Sequence, residues 1–153
     1  MKNQTKNIKL SGLAGKNNYE EIKNRIKAKE NVTIVPYIYN MEDVINLADL
    51  VVARSGAMTI TEVAKCNKPA IFIPYPYATE NHQEYNAKVL ANVGAAKIIL
   101  DKDLTKENLN KEICNIVGDK QELKEMSMNA AKVAINNVEE KIYNEIKELI
   151  NNE

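Results

Sequence analysis

The sequence predicts an α/β protein with an open parallel sheet of about five strands, flanking helices and a helical carboxyl-terminal part. Short β-branched runs alternate with longer segments of helical period up to Leu100, which is typical of βαβ units. After Asp101 only helical periodicity follows. A length of 153 residues fits a single domain, which we assign to residues 1–153.

The predicted strands are short runs of apolar or β-branched residues, as expected for strands buried on both faces of a parallel sheet. They are Ile8–Ser11, Val32–Val35, Leu50–Ala53, Ala70–Ile73 and Ala96–Leu100. The first is the weakest, and Gly12 and Gly15 follow it. We expect each strand to lead through a helix to the next.

The predicted helices have apolar residues at a spacing of three and four. In the sheet region they are Asn18–Lys29, Met41–Ala48, Thr59–Cys66 and His82–Val93, the last of which Gly94 ends. In the carboxyl-terminal region they are Thr105–Val117, Gln121–Ile135 and Val138–Ile150. Gly118-Asp119 separates the first two of these three, and Asn136-Asn137 separates the last two.

Composition argues against several functional classes. Lys plus Arg and Asp plus Glu both number 21, so the net charge of zero disfavours a strongly basic nucleic-acid-binding protein. No apolar run approaches the roughly 18 residues of a membrane span, and the polar first seven residues do not resemble a signal peptide. Two cysteines and one histidine cannot supply a four-ligand zinc site. We therefore expect a cytoplasmic protein without a metal, with Cys66 and Cys114 as buried thiols.

Ligands of open parallel sheets bind beyond the carboxyl ends of the strands. The loops predicted at that edge are Pro36–Asn40, Arg54–Met58 and Pro74–Asn81. We therefore expect the functional residues in these three loops and at the helix starts that follow them.

The clearest local signal is the strand–turn–helix segment from Asp49 to Glu62. The small residues Ser55-Gly56-Ala57 would let a ligand approach the backbone closely. The amides of Ala57, Met58 and Thr59 would then lie at a helix amino terminus, which favours an anion such as a diphosphate. The Glu62 carboxylate, about one turn further on, could accept from both hydroxyls of a ribose.

Another interpretation of the same residues stays open. Thr59-x-x-Glu62 also matches a capping box, in which Glu62 merely binds a backbone amide and Ser55-Gly56 forms a tight turn. Arg54 could bind a phosphate, or it could pair with Asp49 or Glu62.

The other two loops also allow two interpretations each. His82 and Gln83 offer donors and acceptors suited to sugar hydroxyls, or they are the exposed first turn of a helix capped by Thr79 or Asn81. Tyr37 and Ile38 could form a slot for a flat base, or they seal the top of the sheet.

Taken together, the order and spacing of these motifs resemble the donor-binding C-terminal domain of the MurG family, in glycosyltransferase family 28 of the GT-B superfamily. The residues that carry the resemblance are Pro36-Tyr-Ile-x-x-Met41, Asp49-Leu-Val-Val-x-Arg-Ser-Gly-Ala-Met-Thr-x-x-Glu62, Lys68-Pro-Ala-Ile-x-Ile-Pro-Tyr75 and His82-Gln-x-x-Asn-Ala87. Gly15-Lys-Asn-x-Tyr19 and Gly94-Ala-Ala96 fit as well. The resemblance implies a Rossmann-like domain, one half of a GT-B fold, that binds UDP-GlcNAc.

The resemblance also implies a role for each matching residue. Tyr37 and the Ile38 backbone would contact uracil, and the Ala57–Met58–Thr59 turn would hold the diphosphate. Ser55 and Gly56 would also belong to the UDP-GlcNAc-binding residues. Glu62 would bind the ribose, and His82 with Gln83 the GlcNAc hydroxyls. Arg54 matches a family arginine near this site. We expect no cofactor and assign no catalytic residue.

Family members are about twice as long as this chain, and their other half carries the lipid acceptor site, the membrane contact and the expected catalytic base. A strand with a glycine-rich turn that precedes this region in the family is also missing from the motif order, which implies an exposed sheet edge. We therefore expect a donor-binding half of the enzyme that transfers GlcNAc to undecaprenyl-pyrophosphoryl-MurNAc-pentapeptide, with a separate acceptor-binding part as its partner. That partner would bring it to the inner face of the cell membrane. The alternatives are a non-catalytic UDP-sugar-binding module and an inert truncated fragment.

Overall fold

The computed structural model describes residues 8–26, 29–135 and 138–151. Within these ranges five parallel strands alternate with four helices, and three further helices follow. The strands are β1 (Leu10–Leu13), β2 (Val32–Val35), β3 (Val51–Ala53), β4 (Ala70–Phe72) and β5 (Ala96–Ile98). The helices are α1 (Tyr19–Ile26), α2 (Met41–Leu47), α3 (Ala57–Lys65), α4 (His82–Ala91), α5 (Lys106–Gly118), α6 (Lys120–Val133) and α7 (Val138–Asn151). The predicted α/β class with a helical carboxyl-terminal part is confirmed.

The strands form two hydrogen-bonded parallel sheets. One contains β1 and β2, and the other has the order β3-β4-β5. In the first, Leu10 pairs with Val32, and in the second, Val51 pairs with Ala70 and Ala70 with Ala96. All strand ends that lead into helices therefore lie at the carboxyl edge of their sheets.

The first strand begins two residues later than predicted. Gly12, expected to follow the strand, lies inside β1 because the Ile34 side chain of β2 packs against it. A Cβ atom at Gly12 would lie 2.9 Å from the Ile34 Cδ1 atom, so the end of the Ile34 side chain would have to move to admit a side chain here.

The larger core lies between the three-stranded sheet and helices α3, α4 and α6. Phe72, Val63 and Leu90 are fully buried in it. A second cluster on the other face places Ile71 against Ile116 and Met126 of α5 and α6. All three residues of β4 are buried, which fits the central strand of a parallel sheet covered on both faces.

Helix α7 differs from the other helices because every side chain from residue 140 to residue 151 is exposed. Its apolar residues Ile142, Ile146 and Leu149 recur at helical spacing and are 52–70% exposed. The predicted break at Asn136-Asn137 lies outside the described residues.

Candidate functional site

The start of α3 presents three backbone donors without acceptors. Gly56 is the N-cap residue, and the first helical hydrogen bond runs from the Ile60 N–H to the Gly56 carbonyl at 3.1 Å. The N–H groups of Ala57, Met58 and Thr59 have no hydrogen-bond acceptor in the described part of the chain. These donors lie at the positive end of the helix dipole, which is the geometry that binds anions.

Gly56 is not required by the fold itself. Its φ of −63° and ψ of 152° are accessible to any L-residue. A Cβ atom built on Gly56 would have no heavy atom of the described chain within 4 Å, excluding its own chain neighbours. Neither backbone conformation nor packing in the described chain therefore requires a glycine at this position.

The capping-box interpretation of Thr59 and Glu62 is wrong. Helix α3 begins at Ala57, two residues before the predicted start, so Thr59 lies in the first turn and is not the N-cap. The Glu62 carboxylate forms no hydrogen bond or ion pair with any residue that the structure describes. A spacing of three places Thr59 and Glu62 on the same face of α3, and both are partly exposed.

Ser55 fixes the β3–α3 loop (Arg54–Gly56) to α4. Its fully buried hydroxyl donates to the Gln83 carbonyl at 2.7 Å. In return, the Asn86 side-chain amide donates to the Ser55 carbonyl at 3.1 Å. The Ser55 hydroxyl is thus satisfied inside the protein, and the loop takes its position from the first turns of α4.

Arg54 connects the ends of two strands. Its Nη1 atom donates to the carbonyls of Ile73 and Pro74 at 3.1 and 3.0 Å and to the Asp101 carboxylate at 2.6 Å. The guanidinium carbon also lies 5.7 Å from the centre of the Tyr75 ring. The expected alternative of an Arg54 pair with Asp49 or Glu62 is therefore wrong, because Asp101 occupies that role.

We expect Arg54→Met to lower the free energy of unfolding by about 1–3 kcal/mol, because two carbonyls and a carboxylate lose a charged donor. Chemical denaturation of both proteins measures this difference. Arg25→Met is the matched control, since Arg25 forms an exposed pair with Glu21 at 3.5 Å and its loss should cost less than about 0.5 kcal/mol. Equal effects of the two substitutions would contradict the role of Arg54.

The start of α4 presents one acceptor and one donor group. The His82 Nδ1 atom lies 2.8 Å from the Thr79 carbonyl. Because a carbonyl only accepts, Nδ1 carries a proton, and in the corresponding neutral tautomer Nε2 is an acceptor. Gln83 accepts the Tyr75 N–H through Oε1 at 3.0 Å, which leaves its side-chain NH₂ as a donor.

The residues before α4 adopt a left-handed backbone. Glu80 and Asn81 have φ values of 52° and 55°. Asn81 is the N-cap residue, but its side chain donates to the Glu84 carboxylate at 2.8 Å and does not cap the helix amides. Hydrogen bonds from Lys88 and Asn81 lower the pKa of Glu84 below its usual range. The expected side-chain cap by Thr79 or Asn81 is therefore not formed.

Tyr37 and Ile38 follow β2 in the two-stranded sheet. The Lys16 ammonium lies 5.5 Å from the centre of the Tyr37 ring, and the Tyr39 ring packs on it edge-on at 5.1 Å. Tyr37 is 53% exposed and Ile38 is partly buried. Neither residue forms a hydrogen bond to the β3–α3 loop or to α4 in the ranges that the structure describes.

Both cysteines, Cys66 and Cys114, lie outside the three predicted loops. Burial, followed by the charge of Glu42, raises the pKa of the Cys66 thiol, which disfavours the reactive thiolate. Cys114 is only partly buried, contrary to expectation. Among the described residues, His, Cys, Asp and Glu side chains nowhere gather in a group of three that could bind a metal. None of the described helices has the length and apolar composition needed to span a membrane.

Comparison with known proteins identifies the family. Residues 1–142 match the glycosyltransferase family 28 C-terminal domain. This chain belongs to that family. It is 40% identical over 154 residues to the UDP-N-acetylglucosamine--N-acetylmuramyl-(pentapeptide) pyrophosphoryl-undecaprenol N-acetylglucosamine transferase of Thermoanaerobacter sp. (strain X514), a match that covers 97% of this chain and 42% of that protein.

Two further family 28 proteins support the same assignment. The Ruminiclostridium cellulolyticum enzyme of the same name is 41% identical over 140 residues, which cover 89% of this chain and 38% of that protein. The crystal structure of Acinetobacter baumannii MurG superimposes with a TM-score of 0.79 and 35% identity over 90% of this chain and 40% of that chain. This chain thus spans about two fifths of the length of these relatives and corresponds to the C-terminal half of a GT-B fold.

In this family 28 domain, two of the three predicted loops are joined directly. Arg54 binds the β3–α3 loop to the end of β4, and Ser55 binds the same loop to the start of α4. Gln83 of α4 in turn binds Tyr75, which follows β4. The third loop, with Tyr37 and Ile38, lies on the other sheet. A shallow depression of about 220 Å³ lined by Asp49 and Pro69 lies at the opposite edge, before β3 and β4, and is separate from these loops.

Sequence reasoning missed three residues that shape the site. Asn86 belongs to the His82-Gln-x-x-Asn motif, but the sequence does not indicate its hydrogen bond to the Ser55 carbonyl. Lys16 follows β1 and Tyr37 follows β2. Because these two strands are parallel, both residues lie at the same edge of the sheet, which could have been inferred from the predicted topology. Asp101 is 47 residues from Arg54, and no local pattern connects them.

Proposed function

We propose that this domain binds the UDP-N-acetylglucosamine donor of a transferase that glycosylates undecaprenyl-pyrophosphoryl-linked N-acetylmuramyl-pentapeptide in peptidoglycan synthesis. The observation that carries the proposal is the set of free amides of Ala57, Met58 and Thr59 behind an open Gly56. Family membership supports it, because the transferases that this chain resembles are named for this donor and acceptor.

The diphosphate would bind at the start of α3. Hydrogen bonds to a charged group contribute about 1.5–3 kcal/mol each, and the helix dipole adds about 0.3–1 kcal/mol. Gly56 lets the phosphate oxygens approach the amides, in the way that glycines do in other dinucleotide-binding turns. Arg54 and Ser55 hold this turn in place through their contacts with Pro74 and Gln83. Their role in the site is therefore to position the turn.

The nucleoside and sugar would extend to either side of the diphosphate. Glu62, without a protein partner in the described residues, would accept from the ribose hydroxyls. Tyr37 and the Ile38 backbone would contact uracil. The His82 Nε2 acceptor and the Gln83 NH₂ donor would bind GlcNAc hydroxyls.

Transfer itself requires more than this donor site. Glycosyl transfer needs the acceptor hydroxyl held against the anomeric carbon and a base to remove its proton. His82 is the only histidine, and its Nε2 atom is assigned to the sugar. We therefore expect UDP-GlcNAc binding without turnover for this chain alone, and turnover when the acceptor-binding part is supplied.

Glu62→Gln tests the ribose assignment. We expect a 10- to 100-fold lower affinity for UDP, since a carboxylate that accepts two hydroxyls loses charge-assisted hydrogen bonds worth about 1.5–3 kcal/mol. Calorimetry with UDP and 2′-deoxy-UDP makes the test specific, because wild-type protein should discriminate between them and Glu62→Gln should not. Glu42→Gln, which changes a neighbouring carboxylate paired with Lys65, should retain wild-type discrimination. Unchanged UDP affinity in Glu62→Gln would contradict the assignment of the ribose hydroxyls to Glu62.

A further inference from the structure

Two tyrosine rings lie at the surface of the segment between β4 and α4. Tyr75 and Tyr77, here called the tyrosine pair, are 45% and 83% exposed. Their ring centres are 5.6 Å apart, and the ring planes meet at 71°. Neither phenol hydroxyl has a hydrogen-bond partner in the ranges that the structure describes. The fold thus leaves two adjacent rings uncovered, and exposed aromatic side chains of this kind are enriched where proteins bind other molecules.

The tyrosine pair is held in one arrangement although it is exposed. The Arg54 guanidinium lies 5.7 Å from the centre of the Tyr75 ring and is itself fixed by three hydrogen bonds at the end of β4. A turn from Tyr75 to Ala78 is closed by the Ala78 N–H, which donates to the Tyr75 carbonyl at 3.2 Å. Pro76 occupies the second position of this turn, where proline is favoured. A ligand that binds these rings therefore has little loop ordering to offset.

The tyrosine pair adjoins the sugar end of the proposed donor site. The Tyr75 N–H donates to Gln83 Oε1 at 3.0 Å, and Gln83 is assigned to the sugar hydroxyls together with its neighbour His82. The residue assigned to uracil, Tyr37, follows a strand of the other sheet. The rings are thus connected directly to the group that would hold the sugar.

A pyranose ring presents two kinds of surface to a protein. Its hydroxyls form hydrogen bonds around the rim, whereas its axial C–H bonds form apolar faces. In N-acetylglucosamine the free ring hydroxyls and the acetamido group are equatorial, so that the C–H groups of these faces are accessible. The electron-rich face of an aromatic ring attracts such weakly positive C–H groups. His82 and Gln83 offer hydrogen bonds for the rim, and the tyrosine pair offers a surface for the face.

We propose that Tyr77, positioned by Tyr75, packs on the apolar face of the donor's N-acetylglucosamine ring and contributes to the selection of that sugar. The proposal rests on the proposed function. Tyr77 is the ring that contacts the sugar because it has the larger free surface, whereas Tyr75 is partly covered by Arg54. Tyr75 acts through its edge-on contact with Tyr77 and its hydrogen bond to Gln83.

Tyr77→Leu and Tyr77→Phe test the proposal by calorimetry with UDP and UDP-GlcNAc. We expect Tyr77→Leu to bind UDP-GlcNAc about five- to tenfold more weakly and UDP as wild-type protein does, because only the sugar contacts the ring. Tyr77→Phe keeps the aromatic face and should bind both ligands as wild-type protein does. Unchanged UDP-GlcNAc affinity in Tyr77→Leu, or an equal loss in Tyr77→Phe, would overturn the proposal.

Tyr143→Leu is the matched control, since Tyr143 is a 63% exposed tyrosine on α7. It should leave the affinity for UDP-GlcNAc unchanged. Circular dichroism establishes that each variant is folded, which we expect because neither ring is buried. Equal weakening by Tyr77→Leu and Tyr143→Leu would overturn a specific role for Tyr77.

Proton NMR of UDP-GlcNAc tests the contact in wild-type protein and decides the proposal if Tyr77→Leu does not fold. Protons over the face of an aromatic ring are shielded, so we expect upfield shifts of the sugar-ring protons on binding. Bound UDP-GlcNAc without these shifts would overturn the role of Tyr77 and leave the donor site intact. Wild-type protein that binds neither UDP nor UDP-GlcNAc would contradict the proposed function and, with it, this inference.

Discussion

Gly56→Val is expected to lower UDP affinity about 100-fold or more while leaving the fold intact. The added side chain would enter the open space at the start of α3, next to the amides of Ala57 and Met58 in the chain. Loss of two hydrogen bonds to a charged phosphate costs about 3–6 kcal/mol, and every 1.4 kcal/mol corresponds to about a tenfold change in affinity. Titration calorimetry with UDP measures the loss.

The stability of the same variant should change little. Gly56 has a φ of −63°, and its missing Cβ has no near neighbour in the described structure beyond the adjoining residues. Valine at an N-cap position costs about 1 kcal/mol or less relative to glycine. A thermal denaturation midpoint that falls steeply would show that Gly56 serves the fold and not a ligand.

Gly94→Val is the control with the opposite expectation. Gly94 has a φ of 76°, and a Cβ there would lie 3.2 Å from the Asn129 side chain. Left-handed backbone costs an L-residue about 1–2 kcal/mol, so this variant should lose stability. The folded protein should retain its UDP affinity, because Gly94 follows the end of α4 far from the helix start that carries His82. Loss of binding in both variants would contradict a specific role for Gly56.

Phe72→Ala is expected to have the largest effect on stability. Phe72 is the only phenylalanine, and it is fully buried in the central strand against Val63 and Leu90. Truncation of a buried phenylalanine costs about 3–5 kcal/mol. Since small domains have a total stability of about 5–15 kcal/mol, this change removes a large part of it.

Urea denaturation measures this loss, and Leu47→Ala is its control. Leu47 lies on α2 and is 86% exposed, so its truncation should change the free energy of unfolding by less than about 0.5 kcal/mol. A cost below about 1 kcal/mol for Phe72→Ala would mean that β4 is not the packed centre of the sheet.

The alternation of strands and helices could be predicted because apolar runs and helical periods are local properties. The run Ala70–Ile73 predicted β4 closely, since a central parallel strand is apolar on both faces. The first strand was misplaced because Gly12 usually marks a strand end, and only the contact with Ile34 shows why a glycine lies inside this one.

The geometry of the β3–α3 loop was predictable only in part. The turn Ser55-Gly56-Ala57 is visible in the sequence, but α3 begins at Ala57, two residues before the helix that periodicity predicted. The partner of Arg54 was not predictable, because Asp101 reaches it only through the packing of β4 and β5. The sequence also does not show that the Ser55 hydroxyl is used by Gln83, which restricts the role of Ser55 to its backbone position.

The most direct test of the donor site follows the amide signals of Ala57, Met58 and Thr59 by NMR during titration with UDP and with uridine. If pyrophosphate binds at the start of α3, all three signals should shift and saturate with UDP, whereas uridine should leave them nearly unchanged. Signals that stay in place while UDP binds elsewhere, or that respond equally to uridine, would contradict the assignment.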